Sequence, residues 1–344
     1  MIDLAVRHFA LPLRHPFTIS RGTVEVQDTV IVQLHEDGCF GYGEATTNPY
    51  YGATVESLSR RMSDATPLLR GVGADDLDAM LTAIRAAAGD DMFACCALDA
   101  AVHDLWARRQ GLPLHRLWGL DPAAGPASNY TIGIDTPDRM VRKLAEVPDW
   151  PIYKIKLGTD RDLEIVRELR RHTDKPFRVD ANCGWTPRQA IELSAPLAEL
   201  GVEFIEQPLA VADPGMAEVR RHSLLPVFAD ESCGVESDVE ACAGLFHGIN
   251  IKLVKCGGLA PARRMIARAR ALGLAVMCGC MTESTVGISA LAQIVPELDH
   301  VDMDGAALLA GDIASGVVVE RGLRRYPDRA GMGIELVDGP LPRA

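Results

Sequence analysis

Two periodicities divide the first third of the chain. Apolar and polar positions alternate in two runs within residues 1–45, so this stretch predicts a small antiparallel sheet. From about residue 54 to residue 110, apolar positions recur three and four residues apart, most clearly over residues 92–110, and Gly111 ends the pattern. That spacing is typical of amphipathic helices. A sheet followed by helices indicates an α+β domain, which we place at residues 1–125.

The remaining chain repeats one unit eight times. Short strand-like runs alternate with amphipathic helical stretches at intervals of about 20–27 residues. The runs cover residues 129–134, 152–157, 177–182, 202–208, 227–232, 248–253, 275–280 and 300–305. Eight units predict a (β/α)8-type barrel over residues 126–311. An open doubly wound sheet is the alternative, but no G-x-G-x-x-G motif follows the first strand.

The C-terminal segment, residues 312–344, contains two more strand-like runs. We expect it to return to the N-terminal third and to complete the capping domain there. The predicted fold class is therefore α/β, a barrel with an α+β cap.

Composition narrows the class of protein. Lys and Arg number 35 against 47 Asp and Glu, a net charge of −12, which argues against nucleic acid or an acidic membrane surface as a partner. Nine scattered cysteines without a C-x-x-C spacing predict neither a disulfide framework nor a zinc site. No signal peptide and no apolar run of about 20 residues is evident. We expect a cytoplasmic, homo-oligomeric enzyme that acts on a small molecule.

Three acidic residues end successive strand-like runs. Runs three, four and five end with Asp180, Glu206 and Asp230, separated by 26 and 24 residues. Because the carboxyl ends of barrel strands meet at one rim, these carboxylates should converge, and such a concentration of negative charge requires a cation. Oxygen ligands alone favour Mg²⁺ over Zn²⁺. The alternative is that each acid caps a neighbouring helix.

Lysines occupy the second and sixth runs. Lys154 and Lys156 alternate along run two, so they share one face of the strand. If that face is the barrel interior, repulsion and desolvation favour a neutral amine that can act as a base. If it is not, the two lysines lie in solvent. Run six and the residues after it contribute Lys252 and Lys255.

Strands two and six lie four positions apart in a ring of eight and therefore face each other. We expect Lys255 to be the reacting group, because it lies nearer the strand end and before two glycines. Lys252 is expected to be a salt-bridged or rim residue. A base on each face of a planar centre, with a metal between them, suits removal and return of a proton next to a carboxylate.

The motifs YKIKLG, RVDAN, FIEQPL, FADES and NIKLVKCGG, with the helix CALDAAVHDLWARRQGLPL, resemble the muconate lactonizing enzyme subgroup of the enolase superfamily. The resemblance covers most of the chain. It implies one Mg²⁺ held by the three acids, with Lys156 and Lys255 as the acid/base pair and Lys154 assisting by its charge. Glu231, Asn182 and Lys252 would support these groups, although Glu231 could simply cap a helix.

The eighth run ends with Asp302-Met303-Asp304, which resembles the D-x-D motif of dipeptide epimerases. In those enzymes the two aspartates bind the free α-amino group of the N-terminal residue of the substrate. The alternative is that Asp304 and Gly305 form only a turn. Run seven resembles the same enzymes and implies further substrate contacts from Cys280, Met281, Thr282 and Glu283.

Side-chain specificity is expected from two capping-domain loops that contain Ile19, Arg21 and Tyr50. The position of Arg21 is similar to one that meets the acidic side chain in Ala-Glu epimerases, which favours an L-Ala-D/L-Glu substrate. The sequence therefore predicts a Mg²⁺-dependent dipeptide epimerase. The alternatives are o-succinylbenzoate synthase, N-succinylamino acid racemase or a cycloisomerase of the same subgroup, and a barrel without catalytic activity that serves as a binding protein.

Overall fold

The computed structural model describes residues 1–342. Its strands are β1 (Asp3–Ile19), β2 (Gly22–Glu36), β3 (Cys39–Thr46), β4 (Tyr130–Ile132), β5 (Tyr153–Lys156), β6 (Phe177–Asp180), β7 (Val202–Glu206), β8 (Val227–Ala229), β9 (Gly248–Ile251), β10 (Ala275–Gly279), β11 (His300–Asp302), β12 (Ala314–Ser315), β13 (Val318–Glu320), β14 (Leu323–Arg325) and β15 (Glu335–Leu336).

The helices are α1 (Val55–Ser63), α2 (Thr66–Leu69), α3 (Leu77–Ala88), α4 (Met92–Arg109), α5 (Leu114–Leu117), α6 (Pro137–Glu146), α7 (Asp162–Arg170), α8 (Pro187–Glu199), α9 (Met216–His222), α10 (Val239–Cys242), α11 (Leu253–Cys256), α12 (Leu259–Ala271) and α13 (Thr285–Ala292). Short 3₁₀ turns cover Pro49–Tyr51, Glu236–Asp238, Val295–Glu297 and Gly305–Leu308. None of the helices in this described part of the chain is long and apolar enough to cross a membrane.

The N-terminal third is an antiparallel sheet, in the order β1-β2-β3, covered by α4. The helix lies directly on β3: a Cβ built on Gly41 would lie 2.2 Å from Ala101 O, and one on Gly43 would lie 1.8 Å from Ala97 O. Only glycine permits that approach. The opposite side of α4 packs on α11 of the barrel, so this helix is buried on most sides. The predicted α+β cap is confirmed.

The barrel consists of β4 to β11, each parallel to its neighbour in chain order. A parallel bridge between Ser128 and Val301 brings the first and last strands together, which nearly closes the ring. Consecutive strand order has no reversal of the kind that a doubly wound sheet shows. The predicted (β/α)8 barrel is confirmed, and its strands are buried on both faces.

The C-terminal segment contacts both parts of the molecule. Met332 N donates to Asp104 of α4, and the Gln33 side chain of β2 bonds the backbone of Leu341 in both directions. On the barrel side, Val317 N donates to Ser289 Oγ. The division into three segments at residues 125 and 311 stays a prediction.

Candidate active site

A cavity of about 540 Å³ opens at the carboxyl ends of the barrel strands, beneath the β1–β2 hairpin. Both domains line it. The sequence-predicted residues among its walls are Ile19, Arg21, Tyr50, Lys154, Lys156, Asn182, Asp230, Glu231, Lys252, Cys280, Met281, Thr282, Asp302 and Asp304. The predicted site residues therefore lie together at the carboxyl ends of the strands, as the barrel geometry requires.

The three predicted metal ligands meet at one point beneath this cavity. Asp180 and Glu206 are the last residues of β6 and β7 and are register partners, and Asp230 directly follows β8. One carboxylate oxygen of each lies within 4.8 Å of the others. All three side chains are buried. Convergence at one point is what a shared cation requires, whereas three helix caps would be dispersed.

The lysines do not compensate the three carboxylates equally. Burial alone would raise the pKa of Asp180, but Lys156 and Lys154 lower it to about 2. Burial and the charge of Asp180 raise the pKa of Glu206 to about 7. Burial opposes ionisation of Asp230, yet Lys252 and Lys255 hold its pKa well below the ordinary value. Glu206 is thus the carboxyl with the least compensation.

The residues fit a hard divalent cation. Glu206 Oε2 is buried and accepts no hydrogen bond of adequate geometry, even though Lys154 Nζ lies 2.7 Å away. Its other oxygen accepts from Asn250 Nδ2 at 2.8 Å, which fixes the orientation of the carboxylate. Three converging carboxylates, one of which keeps a buried oxygen without a well-aligned hydrogen bond, suit Mg²⁺.

Asn250 escaped the sequence analysis. It lies on β9, two residues before Lys252. The strand alternation that puts Lys154 and Lys156 on one face would have put Asn250 and Lys252 on one face as well, so a signal was available. Asn129 was also missed. It precedes β4, lies two residues before Thr131 of the cavity wall, and donates to Asp302 Oδ1 at 2.7 Å.

Lys154 and Lys156 both point into the barrel. Lys156 Nζ lies 2.6 Å from Asp180 Oδ2. Lys154 Nζ lies 2.9 Å from Asp302 and 3.2 Å from Asp180, in addition to its contact with Glu206. Burial disfavours the charged form of Lys154, but these carboxylates outweigh burial and raise its pKa well above the ordinary value. The expectation of a neutral amine is wrong for Lys154, because carboxylates surround it. Asp230 likewise outweighs burial and raises the pKa of Lys252 above the ordinary value.

Lys252 and Lys255 occupy different environments. Lys252 directly follows β9, lines the cavity, and places Nζ 2.8 Å from Asp230 Oδ2. Lys255 lies in α11, and its Nζ donates to Asp230 Oδ1 at 2.6 Å, to Cys233 O at 3.1 Å and to Asp230 O. Within residues 1–342, Lys255 is not part of the cavity wall. The geometry favours Lys252 as the amine that faces a ligand, opposite to the preference drawn from the sequence.

Asp302 and Asp304 form an acidic pair opposite the triad. Asp302 ends β11 and is paired with Lys154, and Asp304 Oδ2 accepts from Thr131 N at 2.5 Å. Burial disfavours charge on Asp302, but Lys154 lowers its pKa; burial and the charge of Asp302 raise the pKa of Asp304 well above the ordinary value. An ammonium group placed here would favour ionisation of Asp304. Asp304 O also accepts from Ala307 N, so the predicted turn and the cavity-facing side chain coexist.

Among the predicted substrate contacts within residues 1–342, Glu283 is the one that does not line the cavity. Its Oε1 accepts from Met281 N at 2.9 Å, so it supports the run that lines the cavity. Burial and the neighbouring Glu44 raise its pKa to about 8. Glu44 itself belongs to the cap and accepts from Ser284 and Gly287 at the start of α13, which ties the two domains together.

The fold and site together define an enolase-type enzyme: a capped barrel with three carboxylates between lysines on opposed strands. Sequence comparison agrees with this class. Residues 1–119 match the family described as mandelate racemase / muconate lactonizing enzyme, N-terminal domain, and residues 139–339 match the family described as enolase C-terminal domain-like. The chain belongs to the enolase superfamily, and to its mandelate racemase and muconate lactonizing enzyme family. The predicted resemblance is confirmed.

Similar proteins cover the whole chain. An L-Ala-D/L-amino acid epimerase from Flavobacterium johnsoniae is 50% identical over 337 residues, which are 98% of this chain and 100% of the relative. The substrate-liganded L-Ala-D/L-Glu epimerase from Bacillus subtilis superposes with a TM-score of 0.92 at 28% identity over 99% of both chains. A dipeptide epimerase from Enterococcus faecalis, complexed with Mg and the dipeptide L-Leu-L-Tyr, superposes with a TM-score of 0.91 at 30% identity, over 96% of this chain and 98% of that chain.

Proposed function

We propose that this chain is a Mg²⁺-dependent dipeptide epimerase that inverts the α-carbon of the C-terminal residue by proton transfer between two bases. One observation carries the proposal. Lys156 and Lys252 line one cavity from strands four positions apart in a ring of eight, with the acid triad on the strands between them. The relatives that match the whole chain support the same reaction.

The two lysines act on opposite faces of the α-carbon. The lysine that acts as base does so as a neutral amine: it removes the α-proton, and the electron pair of the broken C–H bond is delocalised onto the carboxylate oxygens. The ammonium of the other lysine then returns a proton to the opposite face, which inverts the configuration. For Lys252, whose pKa Asp230 raises against the effect of burial, a cation held by the triad would offset the charge of that carboxylate and favour the neutral form. Positioned acid/base groups of this kind contribute about 10²–10⁴-fold each to a rate.

Asp180, Glu206 and Asp230 would hold the metal. When bound, Mg²⁺ supplies positive charge that offsets the negative charge developing on the substrate carboxylate. Lys154 has a different role from the two bases. It stays protonated among Asp302, Glu206 and Asp180, so it supplies fixed positive charge and links the triad to the acidic pair.

Asp302 and Asp304 would receive the ammonium group of the N-terminal residue. They lie at the end of β11 and just beyond it, on the side of the cavity away from β7 and β8. A dipeptide whose carboxylate faces the triad would extend its amino group toward this pair. The anionic tail of an N-succinyl amino acid, or the second carboxylate of muconate, would meet two carboxyl groups here. The pair therefore disfavours the alternative reactions of the subgroup.

The test is incubation of the enzyme with Mg²⁺ and a set of dipeptides in D₂O, followed by mass spectrometry and chiral separation. We expect deuterium at the α-carbon of the C-terminal residue and accumulation of its epimer, with both lost on addition of EDTA. Deuterium exchange in an N-succinyl amino acid but in no dipeptide would contradict the proposal. A protein that binds Mg²⁺ and exchanges no α-proton would instead support the binding-protein alternative. Homo-oligomeric assembly and a cytoplasmic location remain predictions from the sequence.

A further inference from the structure

A buried arginine crosses the interior of the barrel. Arg178 lies on β6, two residues before Asp180, and is 2% exposed. Its Nη1 donates to Val301 O of β11 at 3.2 Å. Because β6 and β11 are the third and eighth strands of the ring, they do not pair with each other, and this side chain bridges the space between them. Arg178 belongs to the RVDAN motif but takes no part in the proton transfer described above.

Asn129 connects this arginine to the cavity. Arg178 Nη1 donates to Asn129 Oδ1 at 3.2 Å, and Asn129 Nδ2 donates to Asp302 Oδ1 at 2.7 Å. A guanidinium offers only donors and an ionised carboxylate offers only acceptors, so the amide between them fits in one orientation. Arg178 therefore directs the amide donor that holds the Asp302 carboxylate.

Arg178 also holds the strand that carries Asp302. Its Nη2 lies 3.1 Å from His300 Nδ1 on β11. Because arginine cannot accept a hydrogen bond, Nδ1 accepts and the ring proton lies on Nε2. Burial and the charge of Arg178 lower the pKa of His300, which favours this neutral form. The guanidinium thus contacts His300 and Val301 directly, and the next residue, Asp302, through Asn129.

The remaining contacts fix the plane of the guanidinium. Arg178 Nε donates to Glu203 Oε2 at 2.9 Å, which supplies a counter-charge. The guanidinium carbon lies 5.2 Å from the centre of the Phe204 ring, and Phe204 packs with Phe228 and Met277 in a small apolar cluster apart from the main core. A planar fork of donors can serve partners in several directions at once, which a lysine ammonium at the same place cannot reproduce.

We propose that Arg178 is a positioning residue, which sets the spacing between the acid triad and Asp302. It shares one strand face with Asp180 and holds Asp302 from across the barrel. The inference rests on the proposed function, in which a dipeptide places its carboxylate at the triad and its amino group at the acidic pair. A dipeptide must reach both ends at once, so displacement of Asp302 weakens the grip on the amino group. That contact is equal in the substrate and in the transition state, so its loss raises KM and leaves kcat unchanged.

The test measures kcat and KM of Arg178→Met with a dipeptide that the wild type epimerises, together with Tm and the affinity for Mg²⁺ by calorimetry. We expect KM to rise about tenfold, the value of one hydrogen bond to a charged group, with kcat and Mg²⁺ affinity close to wild type. Arg170→Met is the matched control. Arg170 lies on the outer helix α7 and donates to Leu200 O and Thr173 O, so its loss should lower Tm and leave KM unchanged.

A double-mutant cycle tests the route through the amide. Asn129→Leu keeps the shape of the side chain and removes both of its hydrogen bonds. If Arg178 acts through Asn129, the rise in KM of Arg178→Met/Asn129→Leu should be well below the product of the two single rises. Arg178→Lys keeps the charge without the fork, and it takes the place of Arg178→Met in the cycle if the methionine variant does not fold.

Three results would overturn the inference. An unchanged KM with a lower Tm would make Arg178 a packing residue only. Weaker Mg²⁺ binding would show that it acts on the triad and not on Asp302, and single rises in KM that multiply would exclude the route through Asn129. Absence of α-proton exchange by the wild type in every dipeptide would instead refute the proposed function.

Discussion

Replacing Lys255 by methionine separates a positioning role from a catalytic one. Methionine nearly preserves the volume, but it removes the charged donor from Asp230 Oδ1, Asp230 O and Cys233 O. Breaking a buried ion pair by removing one partner lowers the free energy of unfolding by about 3–5 kcal/mol. We expect the low end of this range, because Lys252 still lies 2.8 Å from Asp230 Oδ2.

The expected shift in Tm follows from the size of the chain. At about 2.1 cal/mol/K per residue, unfolding 344 residues as one unit has an entropy of about 0.7 kcal/mol/K. A loss of about 3 kcal/mol therefore lowers Tm by about 4 °C, which differential scanning calorimetry resolves. Lys143→Met is the control, since Lys143 has one carboxylate partner at 3.2 Å, and we expect a smaller shift.

Activity provides the second half of this prediction. Lys255→Met should still exchange the α-proton of both epimers of a dipeptide in D₂O, because the amine that lines the cavity is Lys252. Lys252→Met should lose exchange of one epimer. The reasoning is refuted if Lys255→Met keeps the wild-type Tm and loses exchange of one epimer only.

Three further predictions concern the acidic pair proposed to bind the substrate amino group, the close packing of Gly258 on α4, and the buried Glu283. Asp304→Asn should raise KM for a dipeptide with a free amino group by about 10–100-fold, because a hydrogen bond to a charged group contributes about 1.5–3 kcal/mol to binding. An unchanged KM in steady-state assays would contradict this role. Gly258→Ala should lower the free energy of unfolding by about 1–3 kcal/mol, because φ is +117° and the new Cβ would lie 2.4 Å from Asp99. Gly244→Ala, where the Cβ meets nothing within 4 Å, should change it little, and equal denaturant midpoints for the two variants would refute the close contact. Burial raises the pKa of Glu283 from 4.5 to about 8 in the folded protein. Between these pH values only the folded state holds the proton, so the free energy of unfolding falls as pH rises, by up to about 1.4 kcal/mol per pH unit. Glu283→Gln should therefore flatten the dependence of Tm on pH, and an unchanged slope would assign that dependence to other groups.

The barrel and its acid triad were predictable because both follow from local pattern. Eight strand-like runs at even intervals indicate the ring, and the ring alone brings Asp180, Glu206 and Asp230 to one rim. Asn250 carried the same alternation signal and was overlooked. These features depend on strand period and order, which a sequence displays directly.

The two lysines near β9 show where such reasoning ends. Lys255 was preferred because it lies nearer the end of the predicted run and before two glycines, but β9 ends at Ile251 and α11 begins at Leu253. A helical turn between Lys252 and Lys255 changes the direction of the second side chain. Which of the two faces the cavity therefore depends on a strand end that the apolar pattern does not mark.

The pairing of Arg21 with Glu231 was also beyond sequence reasoning. Contacts across more than 200 residues follow from how the cap sits on the barrel, and no periodicity encodes that arrangement. The same holds for the Glu44 contacts with Ser284 and Gly287.

The most direct measurement of the central claim is α-proton exchange with each separate epimer of one dipeptide, in Lys156→Ala and in Lys252→Ala. With amines on opposite walls, each variant should fail to epimerise, and each should retain exchange of one epimer, the epimers being opposite for the two variants. Retention of the same epimer by both variants, or full epimerisation by either, would contradict the account.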